Sequence, residues 1–162
     1  MAERWVLNAS PVICLERAGL GYLLTALTEE VRVPQAVADE IAAGPEGDPA
    51  IQAMASGQFK VVNVEPAPEI LAWDLGRGET AVLSYALMNP DWTVILDDRA
   101  ARKCAMSFSI PHKGTLAVVI LAKKREIIPS AATALRALKS AGLRLEDDVI
   151  RAALLQTVGE EW

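Results

Sequence analysis

The sequence predicts an α/β protein built on a central parallel sheet, with extra helices at its C-terminal end. Three observations predict it. Short apolar, β-branched segments alternate with helix-forming segments up to about residue 113 of 162, the order that a parallel sheet with crossover helices requires. The segment Thr93-Val94-Ile95-Leu96 is apolar enough to be covered on both faces, and it runs directly into Asp97-Asp98 and a helix-forming stretch. From Gly114 onward the pattern is helical throughout. A composition of 52% hydrophobic residues and a mean hydropathy of +0.24 suit a doubly covered sheet. The length suits a single domain over 1–162, with 114–162 as a helical C-terminal extension packed on it.

Taken in order, Trp5 to Ala9 is a first strand, and Ser10-Pro11 opens a helix, because Ser caps and Pro suits the first helical position. Two short helical pieces follow over 12–18 and 21–28, separated at Gly19. Val31-Arg32-Val33 is a second strand, and Pro34 starts a helix that runs to Ala42. Residues 44–49, with two Gly and two Pro, form a loop. A helix over 50–56 leads to a third strand over 59–64. Pro66 and Pro68 interrupt the chain before 69–75. Gly76-Arg77-Gly78 then reads as a turn feeding a helix over 79–88, which Asn89-Pro90 ends. After the fourth strand a helix covers 99–108, and Ile110-Pro111-His112 supplies a short fifth strand. Helices over 115–124, 130–141 and 147–158 complete the chain, each with an apolar stripe.

Several chemistries are excluded by count. His112 is the only histidine, and Cys14 and Cys104 stand alone. A Ser-His-Asp or Cys-His centre, a zinc cluster and a disulfide framework therefore have no residues within one chain. Both cysteines are expected as small buried hydrophobes. No apolar run reaches the roughly 18 to 20 residues that span a bilayer, and no signal-peptide design precedes the first strand, so the expected location is cytoplasmic, with no membrane partner. The net charge of −5 argues against a broad nucleic-acid footprint held by counterion release. It leaves room for a small cleft where a divalent cation and a few arginines meet one phosphate.

Carboxylates are what remains for catalysis. Asp97 and Asp98 stand at the carboxyl end of a strand, where ligands gather in open parallel sheets, and adjacent carboxylates repel unless a cation or proton separates them. Asn8 follows the first strand, Glu40 lies on the helix after the second, and Glu79 opens a helix. Oxygen donors of this kind suit magnesium or manganese. Each has a plain alternative: Asp98 as a helix cap with Asp97 a solvated loop acid, Glu40 on a solvated helix face, Glu79 favoured by the helix dipole, and Asn8 bonded to backbone.

The stretches 7–13 (Leu-Asn-Ala-Ser-Pro-Val-Ile), 33–41 (Val-Pro-Gln-Ala-Val-Ala-Asp-Glu-Ile), 76–81 (Gly-Arg-Gly-Glu-Thr-Ala) and 96–102 (Leu-Asp-Asp-Arg-Ala-Ala-Arg) resemble, in order and spacing, the signature blocks of PIN-domain proteins. Within that superfamily they most resemble the PIN-like group related to VapC-type toxin ribonucleases. Residues 114–123 and 141–145 resemble that group's C-terminal helical part. The resemblance implies a three-layer α/β/α sandwich and a Mg²⁺- or Mn²⁺-dependent endoribonuclease that hydrolyses RNA phosphodiester bonds, as the toxin half of a toxin-antitoxin module. It implies that Glu40, Glu79, Asp97 and Asp98 are the catalytic and metal-ligating acids, and that Ser10 matches the small hydroxyl residue after the family's first acid. That first acid is usually Asp, whereas this chain has Asn8, which can offer an oxygen but no charge and no carboxylate base.

Asn8 and Ser10 are the expected substrate contacts at the first strand. Arg77 or Arg99, with Arg102 a weaker candidate, is expected to steady the phosphate through fork-like hydrogen bonds. The implied partners are an RNA substrate and an antitoxin protein. A second reading is a PIN-like scaffold that has lost chemistry at Asn8 and still binds RNA or protein. The apolar helices over 118–121 and 149–155 go either to packing within the chain or to a homodimer interface, since such interfaces resemble a divided core.

Overall fold

The computed structural model describes residues 3–162. In chain order its elements are β1 (Arg4–Leu7), α1 (Ala9–Arg17), α2 (Tyr22–Ala26), β2 (Glu30–Pro34), α3 (Gln35–Ala42), α4 (Pro49–Ala55), β3 (Lys60–Val62), α5 (Pro68–Leu71), α6 (Arg77–Met88), β4 (Thr93–Ile95), α7 (Arg99–Ser107), β5 (His112–Lys113), α8 (Thr115–Lys124), α9 (Ala131–Ser140) and α10 (Asp147–Thr157). The strands make one sheet in the order β3-β2-β1-β4-β5, every pair parallel. Helices flank it, which gives the expected α/β/α sandwich.

The middle of the sheet is the most apolar part of the chain. Trp5, Val6, Leu7, Val94 and Ile95 are fully buried, and Trp5 pairs with Val31 on one side and Thr93 on the other. The strand order changes direction here. The chain leaves β1 toward β2 and β3, then crosses back to β4 and continues outward to β5. The carboxyl ends of β1 and β4 are therefore the switch point of the sheet, where a parallel sheet leaves a crevice for ligands.

Helix starts carry the local chemistry. Asp48 caps α4, accepting from Ala50 N at 3.0 Å, with Pro49 in the first turn. Ser130 caps α9, and Gly142, at φ +112, turns the chain after α9 in a conformation only glycine adopts readily. The apolar C-terminal positions Val118, Val119, Leu135, Leu138, Ile150 and Leu154 join the same buried core as the strands, while Val149 and Leu155 are exposed.

Three boundaries differ from the sequence expectation for identifiable reasons. Helix α1 begins at Ala9, with Asn8 in the cap position that Ser10 was expected to fill. Pro11 still lies in the first turn, where its missing N–H is no loss. Helix α6 begins at Arg77, so Gly78 is helical, not a turn residue. Strand β5 is His112–Lys113, shifted toward the C-terminus from Ile110-Pro111-His112. Pro111 has no N–H to pair and serves only as an acceptor, for Val94 N at 2.9 Å, while Lys113 O accepts from Leu96 N.

Candidate active site

At the switch point the chain leaves β1 through Asn8 and leaves β4 through Leu96, Asp97 and Asp98. Asn8 holds its place by its backbone, donating N–H to Ile95 O at 3.0 Å. It occupies the N-cap position of α1, yet its side chain makes no cap bond, although Asn is among the preferred capping residues. The side chain is only 5% exposed. Its Oδ1 lies 3.2 Å from where a Cβ on Gly78 would stand, and Glu40 Oε1 lies 3.0 Å from that same point. Gly78 is buried in the first turn of α6, and its bare Cα lets Asn8 of α1 and Glu40 of α3 approach one another beside it. Any side chain at 78 would wedge them apart. The glycine that reads as a turn residue in the sequence is thus retained by a close approach, not by a turn.

Glu79 follows Gly78 and curls back over the helix start, its Oε2 lying against Gly76 at the point where a Cβ would stand. Its pKa is raised, first by burial and then by the negative charges of Asp98 and Glu40; only backbone N–H groups act in the other direction. No cation is among the groups that set it. Three acids from α3, α6 and the end of β4 are therefore close enough to feel one another's charge.

Asp98 caps α7, with Oδ2 accepting from Ala101 N at 2.9 Å. Capping and a place in the cleft are compatible, since a carboxylate has about four acceptor sites and the cap uses one. Asp97 is not a free loop acid. Its Oδ1 accepts from Thr115 N at 2.8 Å and its Oδ2 from Thr115 Oγ1 at 2.6 Å, tying β4 to the start of α8. Gly114 permits this, because a Cβ there would sit 2.9 Å from Asp97 Oδ1.

Asn8, Ser10, Glu79, Asp97 and Asp98 line one cleft of about 340 Å³. Two lining residues that the sequence did not single out are Cys14 and Arg144. Cys14 is hydrogen-bonded to Ser10, and its thiol pKa is pushed up by burial and then by the charge of Asp97. Arg144 reaches the cleft from the segment after α9. Residues 141–145 resemble a C-terminal helical part and Cys14 reads as a buried hydrophobe, so nothing local marks either as a cleft residue; each arrives through tertiary packing. Of the expected phosphate contacts, Arg77 lines a separate, mostly apolar hollow of about 370 Å³ beside α3 and β3. Arg99 lines a hollow that adjoins the cleft. Arg102 Nη1 lies 3.8 Å from the Gly114 Cβ point that Asp97 also crowds.

The donor set fits a hard divalent cation such as Mg²⁺ or Mn²⁺: all oxygen, mostly anionic, with a buried amide turned away from its capping bond. Among the described residues no three carboxylate, thiol or imidazole groups lie close enough together to hold a metal ion by themselves. A cation would meet a few carboxylates and complete its shell with water, which is how magnesium is usually held.

Among the described residues no helix is long and apolar enough to cross a membrane. No curated protein matches the chain. A family model described as a PIN domain matches residues 4–160. With a sheet whose switch point gathers Asn8, Glu40, Glu79 and Asp98, and a match over nearly its whole length, the chain belongs to the PIN-domain family.

Proposed function

We propose that the protein is a Mg²⁺- or Mn²⁺-dependent endoribonuclease of the VapC-related kind, acting in the cytoplasm as the toxin of a toxin-antitoxin module. PIN domains are a nuclease-type fold that generally uses divalent metals and binds RNA. The observation that carries the reading for this chain is the placement of Glu79 beside Asp98 and Glu40 at the switch point, where burial first and then the charges of those two acids raise its pKa. Structural acids are normally paired; a shared, unpaired negative charge at a ligand crevice is an electrostatic demand for a cation.

Glu40, Glu79 and Asp98 would hold the cation, with the Asn8 amide oxygen beside them. Asp97, two of whose acceptor sites are taken by Thr115, keeps the β4 end in place and supplies charge from behind. When bound, the divalent cation neutralises phosphate charge and lowers the pKa of water at the site. A carboxylate oxygen of this cluster that the cation leaves free would take the proton of the attacking water. Ser10, exposed on the cleft rim, Arg99 in the adjoining hollow and Arg77 in the separate hollow beside α3 and β3 are the contacts proposed for the RNA strand. The exposed Val149 and Leu155 of α10 are the apolar surface left for a homodimer.

The test is cleavage of a fluorescent single-stranded RNA in Mn²⁺ by the parent protein and by Asp98→Asn, which keeps a capping side chain. Loss of cleavage in the variant is expected; an undiminished rate removes Asp98 from the mechanism. The neutral Asn8 favours one other reading, a PIN scaffold that binds RNA without cutting it. Asn8→Asp separates the two: cleavage that appears only in the variant identifies a site silenced at Asn8, whereas cleavage by the parent excludes the scaffold.

A further inference from the structure

The acid cleft does not end at the acids. It shares Leu143 and Arg144 with an adjoining hollow of about 550 Å³, which Arg99, Lys139, Glu146 and Val149 also line. Three cations thus surround a hollow that opens from a cleft of carboxylates. They are not equivalent. Lys139 Nζ donates to Asp147 Oδ1 at 2.8 Å and also lies 6.0 Å from the centre of the Trp162 ring, so its charge is engaged. Arg99 and Arg144 make no ion pair among the described residues. Their charge is unspent.

Arg144 is also held in position. Gly142 turns the chain at φ +112, Gly142 N donates to Lys139 O at 3.1 Å, and Leu143 N donates to Leu138 O at 2.9 Å. Leu143 is buried and acts as the anchor that sets Arg144 over the junction. A guanidinium on an anchored turn, with no carboxylate partner, is suited to a phosphate through paired N–H donors.

We propose that this hollow is a second phosphate site for the RNA strand, taking the phosphate next to the one under attack, with Arg144 at the junction and Arg99 across from it. The proposal rests on the nuclease reading for the identity of the first site. Glu146 also lines the hollow and is a carboxylate that a bound phosphate would face. The strand would run from the β1–β4 crevice across α7 toward the turn after α9, so the helical C-terminal part completes the substrate path.

The experiment is an anisotropy titration of a fluorescein-labelled single-stranded RNA with the parent, Arg144→Gln, Arg99→Gln and Lys60→Gln, in EDTA and between about 50 and 200 mM salt. Neutralising one cation that binds a phosphate lowers the steepness of log K against log salt by about 0.7 for a single strand. The expected result is that decrease in each arginine variant, with weaker binding, and no change in Lys60→Gln at the far edge of the sheet. Slopes unchanged in both arginine variants, or a parent that binds no RNA, would overturn the proposal. Parallel Mn²⁺ cleavage assays of the parent separate the two failures. Cleavage with unchanged slopes removes the second site alone; reduced slopes without cleavage remove the nuclease reading and leave a strand-binding groove.

Discussion

Two carboxylate neighbourhoods in this molecule have opposite fates. Asp48, at the start of α4, is buried and fully served: Ala50 N donates to one oxygen, and Arg17 Nε to the other at 3.0 Å. The Ala50 and Arg17 hydrogen bonds hold its pKa below the ordinary value. Glu79, at the start of α6, faces Asp98 and Glu40, and burial and their charges hold its pKa above the ordinary value. The same chemical group at the same kind of place, a helix start, is satisfied by the chain in one case and left in want of a cation in the other. The first arrangement stabilises the fold; the second is tolerated by it and, under the proposed function, is kept for a cation.

The sharpest way to break this contrast is to neutralise each acid in turn. Glu79→Gln should reduce Mn²⁺-dependent cleavage by roughly 10²–10³-fold, the range seen when one preorganised electrostatic group is removed, and should leave the melting temperature unchanged or higher because a repulsion is relieved. Asp48→Ala should do the reverse. Without the cap and the Arg17 hydrogen bonds the fold should be destabilised by about 1–3 kcal/mol in a denaturant titration, with cleavage per folded molecule unchanged. Equal effects of both variants on stability and on activity would erase the distinction.

Smaller effects sharpen it. Gly78→Ala adds a Cβ 3.0 Å from Glu40 Oε1 and 3.2 Å from Asn8 Oδ1. Exposed Glu40 can give way, whereas buried Asn8 cannot, so Mn²⁺ affinity measured by calorimetry should fall about 10-fold, as for a disturbed supporting shell, while helix propensity favours the substitution.

Acid titration of stability separates the two acids by sign. Below the ordinary carboxylate range, stability should fall as pH drops through the depressed pKa of Asp48, because the unfolded chain takes up the proton first. Above that range, stability should fall as pH rises through the raised pKa of Glu79, because the folded chain then gives up a proton that the unfolded chain has already lost. Thermal melts across this span should lose the acid limb in Asp48→Asn and the upper limb in Glu79→Gln.

The parallel sheet was legible because its central strands are short apolar runs between helix signals, and β4 with its trailing Asp97-Asp98 is the plainest case. Helix starts were less legible. Gly78 reads as a breaker, yet it is helical because what it provides is an absent Cβ beside Asn8 and Glu40. Asn8 reads as a strand end, yet it stands in a cap position with its side chain turned elsewhere. Asp97 carries two readings in sequence, and only the distance to Thr115, eighteen residues on, shows that it braces α8. Arg144 lies in the stretch 141–145, whose resemblance points to a helical part and not to a site, and Cys14 reads as a buried hydrophobe; that either side chain reaches the cleft is specified by packing and not by spacing.

The most direct measurement is anomalous diffraction from a crystal soaked in Mn²⁺. The account predicts a peak at the β1–β4 crevice, coordinated by Glu79 and Asp98 with Glu40 and Asn8 alongside and water completing the shell. A protein that cleaves RNA in Mn²⁺ but shows its manganese elsewhere, with these acids left uncoordinated, would contradict it.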